Sequence, residues 1–502
     1  MSAAAALSLD DWKSRAAGLS HRGQAFIDGD YVDAQSGETF DCVNPANGQV
    51  LTAIAACEAA DVDRAVAAAR RAFDDGRWSD LPPVVRKKKL LRFAELILQH
   101  KEELALLETL DMGKPISDSL AIDIPAAAKC IAWYAETADK TYDEIAPTGP
   151  SVLGLITREP LGVVAAVVPW NFPLLMAAWK IGPALATGNT MIVKPAEQSP
   201  LTALRIAELA TEAGIPDGVF NVVPGFGETA GRALGLHMDV DCVTFTGSIE
   251  VAKMFLKYAG ESNMKRVSCE CGGKTPNIIM SDCPDLDAAA KAAAFGIFFN
   301  QGEVCNAGSR LLVEADIKDR VLEKIEQVAQ KMQPGEPLDP RTKMGAIVDQ
   351  TQLDRVLGYI EAGKEGGAEL KFGGRRARAD SGGYYVEPTV FDNVDSRMKI
   401  AQEEIFGPVL STITFKDADD AVRIGNETIY GLAAAVWTRD LGKAHKTARR
   451  LRAGTVWINC FDNDDITVPF GGFKESGFGR DKSLHALEKY VQLKTTWINL
   501  DA

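Results

Sequence analysis

The sequence predicts an α/β protein built on a doubly wound parallel sheet, followed by a second alternating α/β segment. Three observations lead to that expectation. From Gly162 onward, short runs of valine, alanine and isoleucine alternate with helical stretches. Runs that are apolar along their whole length suit strands covered by helices on both faces. At 502 residues the chain exceeds what one core organises, so two or three domains are expected.

Residues 1–58 read as an arm with small strands, including a turn at Asp28-Gly29-Asp30 and an extended run over Phe40–Ala56. Three helical stretches follow. Ala60–Phe73 places alanine and valine at helical spacing, Pro83–Leu110 does the same with leucine, and Pro125–Ile145 opens on a proline, which suits a first helical turn. The alternating part then runs strand Gly162–Val168, helix Pro173–Ala186, strand Thr190–Val193, helix Pro200–Ala213, strand Gly218–Val223, helix Thr229–Leu236, strand Cys242–Phe245 and helix Glu250–Ala259. This order is that of a doubly wound, dinucleotide-type sheet. A second set spans Asn277 to about Val468, with strands at Leu311–Glu314, Val409–Phe415, Ala433–Thr438 and Thr455–Asn459. Helix Leu484–Val491 precedes a mixed polar and apolar tail, Lys494–Leu500, which reads as a strand that needs a partner, and pairing with another subunit is the expectation.

Composition excludes several classes. Net charge is −14, which disfavours binding to a phosphate backbone, so no nucleic-acid partner is expected. The apolar run Leu161–Trp170 is too short to span a bilayer, and Met1–Ser20 lacks the basic start and apolar run of a secretory signal. Nine cysteines are scattered without a framework, which suits a reducing cytoplasm. With five histidines and no zinc spacing, no metal site is expected.

The chemistry concentrates between Glu270 and Cys305. Glu270-Cys271-Gly272-Gly273-Lys274 ends a strand, and Asn300-Gln301-Gly302-Glu303-Val304-Cys305 lies between a helix and a strand. A thiol attacks electrophilic carbon and a carboxylate takes protons from water, so the pair suits an enzyme that forms and then hydrolyses a thioester. Taken singly, Cys305 reads equally as a small buried hydrophobe, and Glu270 as a cap or salt-bridge carboxylate. Trp170-Asn171-Phe172-Pro173 follows the first parallel strand, so Asn171 stands where such sheets bind ligands and can donate to an oxyanion, or simply make a turn. Lys194-Pro195-Ala196-Glu197 follows the second strand. A carboxylate there accepts ribose hydroxyls, which favours NAD over NADP, although a surface ion pair explains the motif too. Gly225-Phe226-Gly227 with Gly231 departs from the G-x-G-x-x-G spacing. Phe245-Thr246-Gly247-Ser248 opens a helix whose N-terminus can take pyrophosphate, or be capped by its own serine.

In their order along the chain, these stretches resemble NAD(P)-dependent aldehyde dehydrogenases from about Gly23 to Leu500, together with Gly188-Asn189, Glu403-Glu404-Ile405-Phe406-Gly407-Pro408 and Pro469-Phe470-Gly471-Gly472. The resemblance implies a Rossmann-like cofactor domain (residues 1–145 and 160–275), an α/β catalytic domain (276–470) and a small β oligomerisation domain (146–159 and 486–502). It makes Cys305 the nucleophile, Glu270 the general base, and Asn171 with the Cys305 N–H the oxyanion hole. Lys180 and Asp481 become a proton path behind Glu270; the family often has glutamate at the latter place, and leucine where Cys271 stands. For NAD it implies contacts from Trp170, Lys194, Glu197, Gly227, Gly231, Phe245, Gly247, Ser248, Glu404 and Phe406. It implies Met176, Trp179 and Phe470 as apolar substrate walls, and a homodimer or homotetramer.

Stretches such as Asp111-Met112-Gly113-Lys114-Pro115 and Asp481-Lys482-Ser483-Leu484-His485 resemble bacterial dehydrogenases of polyamine and arginine breakdown, implying an ω-amino, guanidino or γ-glutamylamino aldehyde. The acidic loop with Asp464 and Asp465 is then expected to attract a cationic tail, or to be a solvated turn. The alternatives are a broad-range aliphatic or hydroxy-aldehyde dehydrogenase, and a non-catalytic crystallin-like protein; the thiol and the carboxylate speak against the latter.

Overall fold

The computed structural model describes residues 7–501, so the first six residues and Ala502, at the ends of the expected domains, lie outside the described residues. Two large sheets organise the chain. The first has eight strands in the order Asp30–Val32, Ala25–Ile27, Phe220–Val222, Thr190–Lys194, Val163–Val167, Cys242–Gly247, Arg266–Cys271, Gly477–Phe478. The five strands from Phe220–Val222 to Arg266–Cys271 run parallel, and the outer ones pair antiparallel. Val163–Val167 is buried at every position, as a two-sided parallel strand must be. The chain leaves it in one direction toward Thr190–Lys194 and returns to its other side at Cys242–Gly247. That reversal places a crevice beyond the carboxyl ends of these strands.

Helix Pro173–Ala186 follows the first of these strands, with proline at its first position. It packs against helix Ile124–Thr137 at close range: a Cβ on Gly182 would come within 2.7 Å of the Tyr134 ring. The expected helix to Ile145 stops at Thr137, and Glu144–Ala146 is a strand. Pro83–Leu110 divides into helices Pro83–Gln99 and Lys101–Met112 at His100. A helix at Leu9–Ala17, capped by Ser8, stands in what read as an arm.

The second sheet has seven strands in the order Glu369–Phe372, Thr389–Asp392, Val409–Phe415, Arg310–Glu314, Pro276–Ile279, Ala433–Trp437, Thr455–Ile458, all parallel except the first. A third sheet joins Val491–Asn499, Val152–Pro160 and Glu144–Ala146. The tail thus pairs within its own chain and leaves its other edge open, with Leu493 and Trp497 both 65% exposed. Residues Gly477–Phe478 join the first sheet, so the chain returns to it after the second. Among the described residues no helix is long and apolar enough to cross a membrane.

Candidate active site

Strand ends of the first sheet and loops of the second line one cleft of about 460 Å³. Glu270 is held by register: it stands opposite Thr246 on the neighbouring parallel strand and opposite Gly477 on the antiparallel one. Cys305 enters from the other side. Its loop turns at Asn300 and Gln301, both in the left-handed region at φ 47° and 57°. That turn lets the Asn300 amide donate to the Asn171 carbonyl at 3.0 Å and to the Glu303 carbonyl at 3.2 Å. The Asn171 side chain donates to the same Glu303 carbonyl at 2.9 Å. One Nδ2 proton is spent fixing the amide two residues from the thiol, and the second is left for a ligand. Sequence reasoning found Asn171, Glu270 and Cys305, and the fold brings all three to this cleft. It did not single out Asn300, whose signal was a polar residue inside a turn motif.

Electrostatics set the protonation states. Glu270 is 4% exposed, and no protein group among the described residues donates to either carboxyl oxygen. Burial pushes its pKa up to about 8, against the nearby Lys180 ammonium, which pulls it down. Burial raises the Cys305 thiol well above its ordinary value, and the Glu270 and Glu404 charges raise it further. The free site therefore stores a protonated thiol beside a carboxyl that titrates near neutrality. Lys180 donates to Asp481 Oδ2 at 2.5 Å, and Lys489 pairs with the other Asp481 oxygen. Burial would raise the Asp481 carboxyl, but the two ammoniums hold it below the ordinary value. The expected Lys180–Asp481 pair is thus formed, but it makes no hydrogen bond to Glu270. Cys271 also lines the cleft; it is 2% exposed and burial raises its thiol.

The residues expected to hold a dinucleotide divide: Trp170, Gly247, Ser248, Glu404 and Phe406 line the cleft, whereas Lys194, Glu197, Gly227 and Gly231 are not part of its lining. Ser248 caps helix Ile249–Glu261, accepting from the Val251 N–H at 3.3 Å, and Gly247 and Ser248 line the cleft where the N–H groups of that helix start. Lys194 is 2% exposed and donates to the Pro195 carbonyl at 2.9 Å and to Glu197 at 3.3 Å. Burial lowers its pKa. Gly231 borders the Lys194 side chain and Gly227 faces Glu197, so these four gather at the ends of neighbouring elements. Glu404 accepts from the Gly273 N–H at 3.0 Å, and burial raises its pKa to about 7. A Cβ on Gly272 would run into the Glu404 carboxylate, so only glycine lets that group in. Phe406, at φ 59°, meets the Trp170 ring edge-on at 5.2 Å. Gln352 braces this loop at the Ile405 and Phe406 carbonyls, and Arg355 at the Glu404 carbonyl; neither was singled out from sequence. The expectation for Phe245 is corrected. Its ring packs on Phe255 at 5.2 Å in the core, and Thr246 takes the cleft side of the strand.

The mouth is aromatic. Trp179 and Phe470 meet edge-on at 5.4 Å, with Met176 in the same wall and Phe295, Phe299 and Trp457 around it. Of the two expectations for the acidic loop, the solvated turn describes it better, since both aspartate side chains are more than half exposed. Asp464 lines the cleft but pairs with Lys482, and Asp465 lies outside it, accepting from Thr467 and 3.6 Å from Lys129. Each carboxylate has a lysine beside it, which weakens the pull of these two on a cationic tail. Asp462, not singled out before, lines the cleft and accepts from Asn306 at 2.7 Å.

The chain is similar to known proteins over nearly its whole length. The aldehyde dehydrogenase family pattern matches residues 31–496. The chain is 52% identical to the NADP/NAD-dependent aldehyde dehydrogenase PuuC of Escherichia coli (strain K12), covering 98% of both chains. It is 50% identical to an aminoacetaldehyde dehydrogenase of Pseudomonas aeruginosa, over 98% of this chain and 99% of the relative. A solved structure of P. syringae AldA indole-3-acetaldehyde dehydrogenase, in complex with NAD+ and IAA, superposes with a TM-score of 0.98 at 61% identity, covering 99% of this chain and 100% of that one. A thiol, a buried carboxyl and an asparagine amide on one cleft, with these likenesses over nearly the whole length, give the identification: the chain belongs to the aldehyde dehydrogenase family.

Proposed function

We propose that the protein oxidises an aldehyde to a carboxylic acid with NAD, using Cys305 as nucleophile. The observation that carries this reading is the convergence of Asn171, Glu270 and Cys305 on one cleft. Cys305 gives up its Sγ proton to solvent, a loss that the positive charge of bound NAD+ would favour, and the thiolate sulfur adds to the aldehyde carbon. The developing oxyanion accepts from the free Asn171 Nδ2–H and from the Cys305 N–H. NAD+, when bound, supplies the acceptor for the hydride that leaves the thiohemiacetal. Glu270 then takes a proton from water, whose oxygen attacks the thioester carbon; the carbon–sulfur bond breaks and the carboxylate departs. Lys194, Glu197, Gly227 and Gly231 would hold the adenosine end, Gly247 and Ser248 the pyrophosphate, and Trp170, Glu404 and Phe406 the nicotinamide ribose. The Glu197 carboxylate favours NAD, because it would repel a 2′-phosphate.

The aldehyde we propose is an ω-amino, guanidino or γ-glutamylamino aldehyde, as the likeness to PuuC and to the aminoacetaldehyde dehydrogenase supports. A second reading, a broad range including aryl aldehydes, is favoured by the aromatic mouth and the paired Asp464. The open edge of the tail strand supports assembly into a homodimer or homotetramer. The test is NADH formation with 4-aminobutanal against propanal and an aryl acetaldehyde. Turnover that Cys305→Ala abolishes is expected; no NADH from any of them overturns the reading.

A further inference from the structure

Lys482 is not explained by the reaction. It follows Asp481, the partner of Lys180, but its side chain goes the other way, into the wall of the cleft. The segment is pinned there. Asp481 and Phe470 exchange two backbone hydrogen bonds of 2.8 Å, and the Ser483 N–H donates to the Ile466 carbonyl at 2.7 Å. Lys482 itself is in the left-handed region at φ 61°, which a non-glycine residue adopts only when its surroundings require it. The residue is 1% exposed. Its Nζ lies 5.5 Å from the Trp179 ring centroid and 5.9 Å from that of Phe470, over the two aromatic walls of the aldehyde channel. Its ammonium touches one oxygen of the Asp464 carboxylate and has no other hydrogen-bond partner among the described residues. Asp464 itself has a side chain 56% exposed, so it stays solvated when the pair opens.

A lysine carries three donors, and contact with one carboxylate oxygen leaves two of them without a partner in a buried place, a costly arrangement unless a ligand takes them. A cationic substrate tail would meet a like charge here. An amide carbonyl or carboxylate on the tail would accept from the ammonium in the place Asp464 now occupies. We infer that Lys482 is a specificity-determining residue that reads a hydrogen-bond acceptor on the far end of the aldehyde, so that the cleft prefers aldehydes with an acylated or carboxylated tail over those ending in a free ammonium. This rests on the aldehyde-oxidation reading above and selects among the tails considered there.

The experiment compares 4-acetamidobutanal, 4-aminobutanal and heptanal as substrates of the wild type, Lys482→Met, Lys482→Arg and Asp464→Asn. Methionine keeps an apolar stem against Trp179 and Phe470 and removes the charge. The expected result for Lys482→Met is a KM for 4-acetamidobutanal that rises about 10- to 100-fold relative to that for heptanal, the scale of a lost hydrogen bond to a charged group. The kcat ratio of the two is expected to stay constant, and Lys482→Arg to restore much of the KM ratio. Asp464→Asn frees the ammonium without touching the core, and is expected to lower KM for 4-acetamidobutanal relative to heptanal. Equal changes for both aldehydes in Lys482→Met, or an Asp464→Asn ratio that stays put, would reduce Lys482 to packing and overturn the inference alone. A wild type that makes NADH from none of the three overturns the oxidation reading and this inference with it.

Discussion

Replacing Glu270 by glutamine separates the two halves of the proposed reaction. The carboxyl is 4% exposed with both oxygens unpartnered, so the amide enters a site of nearly the same shape. Removing a general base costs about 10²- to 10⁴-fold, and here it falls on thioester hydrolysis. Rapid mixing of Glu270→Gln with NAD+ and aldehyde should give close to one NADH per active site, followed by turnover reduced on that scale. The wild-type rate should climb as pH rises through about 8, where the carboxyl loses its proton, and the variant should lack that limb. Stability carries an independent signature. A pKa raised from 4.5 to about 8 means that the native state holds this proton more tightly than the unfolded chain. Wild-type stability therefore falls as pH rises from about 4.5 through about 8, by ~5 kcal/mol at ~1.4 kcal/mol per pH unit. The variant cannot ionise there, so its urea-unfolding free energy should gain on the wild type between pH 5 and pH 9. A variant with normal steady-state turnover, or no relative gain in stability, would refute the reasoning.

Three further outcomes follow from the geometry. Asn171→Ala removes a donor from the oxyanion, and kcat/KM should fall about 10²- to 10³-fold with the NADH burst itself slowed, since the loss precedes hydride transfer. Gly272→Ala places a methyl against the Glu404 carboxylate; an NAD titration should show affinity weakened about tenfold or more, and unchanged affinity would remove Glu404 from the ribose site. Deleting residues 493–502 strips most of the outer strand of the small sheet, and light scattering should show a smaller assembly; an unchanged oligomer would reject that edge as an interface.

Much of the site was legible because its chemistry is local in sequence. Cys305 and Glu270 stand among glycines at the ends of elements, and Asn171 follows an all-apolar strand, so position and residue type pointed the same way. The five central parallel strands were legible for a related reason: runs such as Val163–Val167 have no polar face. That same property hid the side on which Phe245 lies. When both faces of a strand are buried, alternation carries no sign, and Phe245 and Thr246 exchange roles unnoticed. In the acidic loop a run of aspartates shows charge but not its partners, so the sequence leaves a tail-binding site and a solvated turn both open. Lys482 and Lys129 reach Asp464 and Asp465 from elsewhere in the chain, and only the fold pairs them. Lys482 lies in a stretch that carries the resemblance to polyamine dehydrogenases, but a lysine between aspartate and serine reads as surface, so no role follows for its side chain. Helix Ile124–Thr137 was drawn too long because Ala138–Ile145 continues a helix-compatible composition, whereas pairing of Glu144–Ala146 with Val152–Pro160 overrides it.

The proposed reaction turns on one bond, between the substrate carbon and the Cys305 sulfur. Acid-quenching Glu270→Gln with NAD+ and aldehyde, digesting it and weighing the peptides tests this directly. An acyl mass added at Cys305, in proportion to the NADH formed, is expected. NADH formed with no acyl mass at Cys305, or with the mass on Cys271 or another cysteine, would contradict it.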